Sequence, residues 1–155
     1  MSFPRYPKYK PSGVEWLGDV PEHWEVASLR YYANFCTGST PDRNNSDYWD
    51  GGIPWVKTGE INYSLITETE ETISQKGLDS SSCSIASPGT LLMALYGQGV
   101  TRGRVAILGI SAAFNQACAA ISVDDRISNE FLRVFFVFAY SFIRDIGISG
   151  TKLLK

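Results

Sequence analysis

Arg43, Asn44 and Asn45, then Lys57 and Thr58, then Gln98, Thr101, Arg102 and Arg104 fall in three polar or glycine-rich stretches of this sequence. Their side chains suit one chemistry in particular. An Arg or Lys can donate to both acceptors of guanine, and an Asn or Gln can pair with the donor and acceptor of adenine. Glycines around Gln98 and Arg102 would let the backbone approach a groove closely. The same residues also suit an ordinary solvated loop. Tyr48, Trp49 and Trp55 beside them suit a protein-binding surface, where aromatic residues are enriched.

Catalytic chemistry finds no comparable set. His23 is the only histidine, so neither a histidine-rich metal site nor a Ser–His hydrolase has its parts. Gly97-x-Gly99 with Gly103 has the wrong spacing for a dinucleotide loop, and Arg104-Val105-Ala106-Ile107 opens a strand where that motif needs a helix. A P-loop is absent. No lysine follows a carboxylate at two positions, as the common restriction-nuclease site requires, and no Asn/Asp-Pro-Pro-aromatic motif for adenine methylation occurs. Asp124-Asp125 reads as a turn. Neither a cofactor nor a metal is expected, and an unrecognised carboxylate enzyme is the weakest rival.

The elements that must position these residues follow from pattern. Residues 37–57 form a long polar loop with Tyr48 and Trp49 as loop anchors; Gly51-Gly52 then turns into Ile53-Pro54-Trp55-Val56, an edge strand or strand entry. The alternation of Trp24–Leu29 predicts a strand, while periodicity leaves 30–35 open between helix and strand. Thr58-Gly59-Glu60 is a turn, and 61–66 a strand. Residues 72–78 form a short helical turn ending at Gly77. The apolar runs 90–96 and 104–108 predict a hairpin with a displayed glycine-rich tip, and 114–123 a further strand. A helix capped by Ser128 or Asn129 runs to about 146, stops at Gly147, and is apolar nearly all round, hence buried against a sheet. The expected fold is α/β of the α+β type: an irregular, mostly antiparallel sheet with a buried C-terminal helix and long loops.

Thr37-Gly38-Ser39-Thr40-Pro41, followed by Tyr48-Trp49-Asp50-Gly51-Gly52-Ile53-Pro54-Trp55-Val56, closely resembles the target recognition domain of type I restriction-modification specificity subunits. Tyr9–Gly18 and Val20–Val26 are similar to the opening of many such subunits. The elements Gly97–Leu108 and Phe114-Asn115-Gln116-Ala117 resemble two further family features, although the hairpin tip and residues 60–84 belong to the variable part. The resemblance covers about residues 6–152. It implies a non-catalytic domain, the N-terminal of two in tandem, that reads one half of a bipartite double-stranded DNA target. It also implies methylation (M) subunits that supply S-adenosylmethionine chemistry and, through them, a restriction (R) subunit. Under it Lys57, Arg102 and Arg104 contact phosphate or guanine, Asn44, Asn45, Gln98 and Thr101 contact bases, and Tyr48, Trp49 and Trp55 anchor the loop. The chain is then one recognition domain, 1–155. Residues 1–23 form its arm, 24–127 its body and 128–147 its helix, and 148–155 start a spacer-helix region.

Composition bounds these readings. A chain of this length, 44% hydrophobic and 19% charged, can bury a real core as one domain. No apolar run reaches the length of a membrane span and no secretory leader is visible. Cys36, Cys83 and Cys118 are odd in number and far apart, which argues against a disulfide scaffold and for a reducing cytoplasm. A net charge of −2 opposes DNA binding, which rests on neutralising phosphates. The charge is segregated, however: no acid occurs between Asp79 and Asp124, where Arg102 and Arg104 lie. A protein-interaction module using the aromatic loops is the alternative that the acidic balance favours.

Overall fold

The computed structural model describes residues 4–96 and 100–146. At the N-terminus β1 (Tyr9–Pro11) and β2 (Asp19–Pro21) pair antiparallel. Trp16, in the turn between them, stacks on Phe142 at 4.5 Å and approaches Phe135 at 5.9 Å. This large apolar ring ties the terminus to the C-terminal helices.

The strand expected over Trp24–Leu29 does not form. That segment has no partner strand, and Trp24 and Val26 stay 40% and 42% exposed. A 3-10 turn at Leu29–Tyr31 follows, then β3 (Ala33–Thr37). Next come β4 (Trp49–Val56), β5 (Leu65–Ile66), β6 (Glu71–Ile73) and α1 (Gln75–Asp79). Strand β5 is shorter than the run 61–66 implied. Gly77 sits inside α1 rather than ending it; it serves close approach instead, since a Cβ there would lie 2.4 Å from the Tyr48 carbonyl oxygen.

The remaining strands are β7 (Leu91–Ala94), β8 (Val105–Leu108), β9 (Ala113–Phe114) and β10 (Cys118–Val123). Five strands form one sheet in the order β3-β10-β7-β8-β5, and three form another in the order β6-β4-β9. Pairing is mostly antiparallel; β4–β9 and β5–β8 are parallel. The single strand expected over 114–123 is therefore two, because the chain changes sheets at Asn115–Ala117. The edge position expected for Ile53–Val56 is also corrected: β4 is the central strand of its sheet. Pro54 is tolerated there because β9 pairs only with Trp55 and Val56, and the β6 register shifts between Trp49 and Ile53.

Strands β7 and β8 are buried at every position, which explains their unbroken apolar sequence. Alternate side chains supply opposite faces. Leu92, Ala94, Ala106 and Leu108 join Val56, Ile61, Phe114 and Cys118 on one side. Leu91, Met93, Val105 and Ile107 meet Leu132, Phe136, Ala139 and Ile143 on the other. Each fully buried Leu or Ile contributes about 2 kcal/mol.

The helix expected over 128–147 is two helices, α2 (Asn129–Phe138) and α3 (Tyr140–Ile146), with Ala139 at the break. The Ser128 hydroxyl caps α2 by accepting from Phe131 N–H at 3.0 Å. Burial follows one face, through Leu132 and Phe136. Phe131, Val134 and Phe138, 51%, 58% and 66% exposed, point away. The sequence stop at Gly147 and residues 148–155 lie outside the described residues.

Candidate nucleic-acid interface

The polar loop is fixed at both ends. Gly38 lies so close to the β9–β10 connection that a Cβ would meet the Phe114 carbonyl oxygen at 1.8 Å. Ser39 N–H donates to that oxygen at 3.0 Å, and the Ser39 carbonyl accepts from the Trp55 indole N–H at 3.1 Å. Pro41 is buried, and Thr40 donates to Gln116 at 2.5 Å. At the other end the Ser74 hydroxyl donates to the Asp47 carbonyl at 2.6 Å, and Ser74 N–H to the Tyr48 carbonyl at 2.9 Å.

Within the loop, Asp42 accepts from both Asn44 N–H, at 2.9 Å, and the Asn44 amide, at 3.1 Å. Asn44 is exposed. The Asn45 side chain accepts from Asp47 N–H at 3.1 Å and so caps the 3-10 turn Ser46–Tyr48. It is committed to the backbone, as Asn in loops often is.

Arg43 is the centre of the arrangement. Its two terminal nitrogens donate to the two oxygens of Glu71, at 2.6 and 3.1 Å. Its guanidinium carbon lies 3.8 Å from the Trp49 ring centre and 4.8 Å from that of Trp55. The two indoles meet edge to face, 5.2 Å apart and 89° between planes. Lys57 places its ammonium 2.6 Å from Glu70 and 3.5 Å from Glu71. Hydrogen bonds from Arg43 hold the Glu71 carboxyl below its ordinary range, with Lys57 adding to the effect. The Glu70 hydrogen bond raises Lys57 in turn. Two cations expected to face DNA are thus already paired with carboxylates from the acidic run 68–71. Sequence inspection missed Glu70 and Glu71 in this role; only the cluster of acids hinted at them.

Thr58 turns inward. Its hydroxyl accepts from the Asn115 amide at 3.1 Å, and Asn115 also accepts from Ala117 N–H at 3.1 Å and from the Cys118 thiol at 3.0 Å. Asn115 therefore satisfies the turn where the chain changes sheets.

Thr101, Arg102 and Arg104 form a second group, in the connection between β7 and β8; Gln98 lies outside the described residues. The Thr101 carbonyl accepts from Arg104 N–H at 3.0 Å, and the Arg104 guanidinium sits 5.8 Å from the Tyr63 ring centre. Gly103 adopts a left-handed φ of 81°, and the Tyr140 hydroxyl donates to the Val100 carbonyl, which holds this connection against α3. Arg102 borders a cleft of about 590 Å³ with a largely apolar floor that includes Met93, Ile121 and Phe136; Arg30, Asn34 and Tyr96 stand at it with Arg102, and among the described residues no Asp or Glu lines it. Arg30 and Asn34 escaped the sequence reading because the periodicity of 30–35 is ambiguous, and Tyr96 because it reads as the end of the apolar run 90–96. Among the described residues, no three His, Cys, Asp or Glu side chains converge as a metal site, and no helix is long and apolar enough to cross a membrane.

Comparison with known proteins follows the same lines. The family described as type I restriction modification DNA specificity domain matches residues 21–154. The type I restriction enzyme MjaIX specificity subunit of Methanocaldococcus jannaschii is 28% identical over 123 residues, covering 77% of this chain and 28% of that protein. The HindI specificity subunit of Haemophilus influenzae is 26% identical over 139 residues, covering 88% of this chain and 30% of that protein. The chain thus spans under a third of the length of these relatives. A crystal structure of the HsdS subunit from Thermoanaerobacter tengcongensis superposes with a TM-score of 0.65 at 15% identity, over 87% of this chain and 31% of that one. A chain from a study of type I R-M complex assembly gives 0.62 at 16% identity, over 78% and 29%. Both structures share the fold.

Proposed function

The chain belongs to the type I restriction modification DNA specificity domain family, and on that premise we propose that it reads one half of a bipartite double-stranded DNA target. Its relatives are named specificity subunits, so recognition rather than catalysis is its task. Residues 1–155 act as one recognition domain, with 1–23 as an arm and 128–147 as the helical edge. Methylation subunits, and through them a restriction subunit, are its partners in the cytoplasm.

The observation that carries this reading is the cleft at Arg102. Arg102 and Arg30 line it, and among the described residues no carboxylate does, within a chain of net charge −2. A surface of that sign suits phosphate, and segregated charge lets an acidic protein bind DNA locally. Arg102 and Arg30 contact the backbone there, joined by Arg104 at the hairpin base, while Gln98 and Thr101 reach base edges. Asn44, exposed and held by its neighbour Asp42, turns its amide from that carboxylate to read bases from the other loop, with Lys57 released from Glu70 onto phosphate. Asn45 and Thr58, whose side chains are bonded internally, hold the loops in place.

The test is fluorescence anisotropy with mixed-sequence duplexes at low salt, on the chain alone and with its methylation subunits. Arg102→Ala is expected to weaken binding and to reduce the slope of log affinity against log salt by about 1. Unchanged affinity and slope would remove Arg102 from the interface.

A further inference from the structure

We infer that Arg43 and Glu71 form a positioning pair for the recognition loop: strand β6 holds the guanidinium against two indoles, so that the loop bearing Asn44 keeps one shape, and Arg43 itself reads no base. The inference rests on the proposed DNA reading and assigns roles within it.

The geometry argues this from the donor inventory. A guanidinium recognises guanine through two parallel N–H groups on one edge. In Arg43 both terminal nitrogens point at Glu71, at 2.6 and 3.1 Å. The flat face of the group is used as well, lying over Trp49 and near Trp55. Releasing the fork to a base would leave the half-buried Glu71 carboxylate with only the longer Lys57 contact of 3.5 Å. Lys57 has the opposite character, since its short contact is to Glu70, whose side chain is 70% exposed.

The pair is also placed to transmit shape. Glu71 and Thr72 belong to β6, whose register on Trp55 and Pro54 in β4 is fixed by the ladder. Arg43 is next to Asn44, and the Trp49 indole N–H donates to the Asp42 carbonyl at 3.1 Å. The loop residues 42–44 are therefore gripped by the strand pair through one ion pair and one indole hydrogen bond. A Lys at 43 would keep the charge but lose the fork and the planar stack.

The experiment is selection of bound duplexes from a random-sequence library by the full chain with its methylation subunits, for wild type, Arg43→Gln, Glu71→Gln, the double variant and Arg43→Lys. Near-ultraviolet circular dichroism checks the fold of each. The expected result is that wild type enriches one short motif. Both single Gln variants lose about tenfold in discrimination across the same positions, and the double variant loses no more. Arg43→Lys falls between, and the salt slope is the same in all. A purely structural role outside recognition would leave the motif unchanged. If Arg43 reads a base instead, Glu71→Gln keeps or sharpens the motif while Arg43→Gln erases a single position; that result would overturn the inference. The absence of any motif for wild type would refute the DNA reading itself, a distinct outcome. Should a Gln variant unfold, the comparison of Arg43→Lys with wild type decides: an unchanged motif overturns the inference.

Discussion

Gly38 rests against the carbonyl of Phe114 with no room for a side chain, since a Cβ would sit 1.8 Å from that oxygen. The contact joins the start of the recognition loop to the point where the chain leaves one sheet for the other. Backbone atoms on both sides cannot yield as a side-chain tip could. Gly38→Ala is therefore expected to cost about 3 kcal/mol, read as a lower denaturation midpoint. A midpoint equal to that of wild type would show that the junction can open without loss.

Burial also separates the thiols. Cys118 is fully buried, and its thiol is pushed up to about 12 by that burial. Cys36 is exposed on β3. Thiolate, the reactive form, is therefore scarce at Cys118 in mild alkali. A maleimide or disulfide reagent is expected to label Cys36 in the native chain and Cys118 only after denaturation. Labelling of Cys118 at a comparable native rate would contradict the packing described.

Acid acts on two carboxylates. Glu71 is held below its ordinary value chiefly by hydrogen bonds from Arg43, and Asp124 chiefly by those from Arg126. A depressed folded-state value stabilises the native chain above the unfolded value and is lost as pH falls through the folded one. Melting temperature is therefore expected to drop on acidification below about pH 4, and to drop less for Glu71→Gln. Both pairs are solvent-accessible, so the difference is small. Equal acid sensitivity in the two proteins would show that the Arg43–Glu71 pair is not maintained in solution.

Trp16 fastens the N-terminal hairpin through its stack on Phe142. Trp16→Ala is expected to destabilise by about 2 kcal/mol and to speed tryptic cleavage at Arg5 and Lys8. Unaltered proteolysis would mean that the β1–β2 pairing alone holds the arm.

The sequence carried much of this fold where burial is local and continuous. Leu91–Ala94 and Val105–Leu108 are apolar at every position because both of their faces are covered, and Ser128 announces α2 by its capping hydroxyl. Trp24–Leu29 alternates like a strand yet has no neighbour to pair with, a fact that no local pattern holds. Phe114–Val123 reads as one run because the sheet change depends on Asn115 finding Thr58, 57 residues away in the chain. The loop residues were visible by type. Their partners were not, since Glu71 lies 28 residues from Arg43 and pairing across strands is set by register.

The most direct measurement is enrichment from a random duplex library by the unaltered chain with its methylation subunits, followed by a salt titration on the selected duplex. Recognition of a half-site predicts one short motif, with affinity for it falling steeply as salt rises and a scrambled duplex bound far more weakly. Equal binding of selected and scrambled duplexes, or no enrichment at all, would contradict the account.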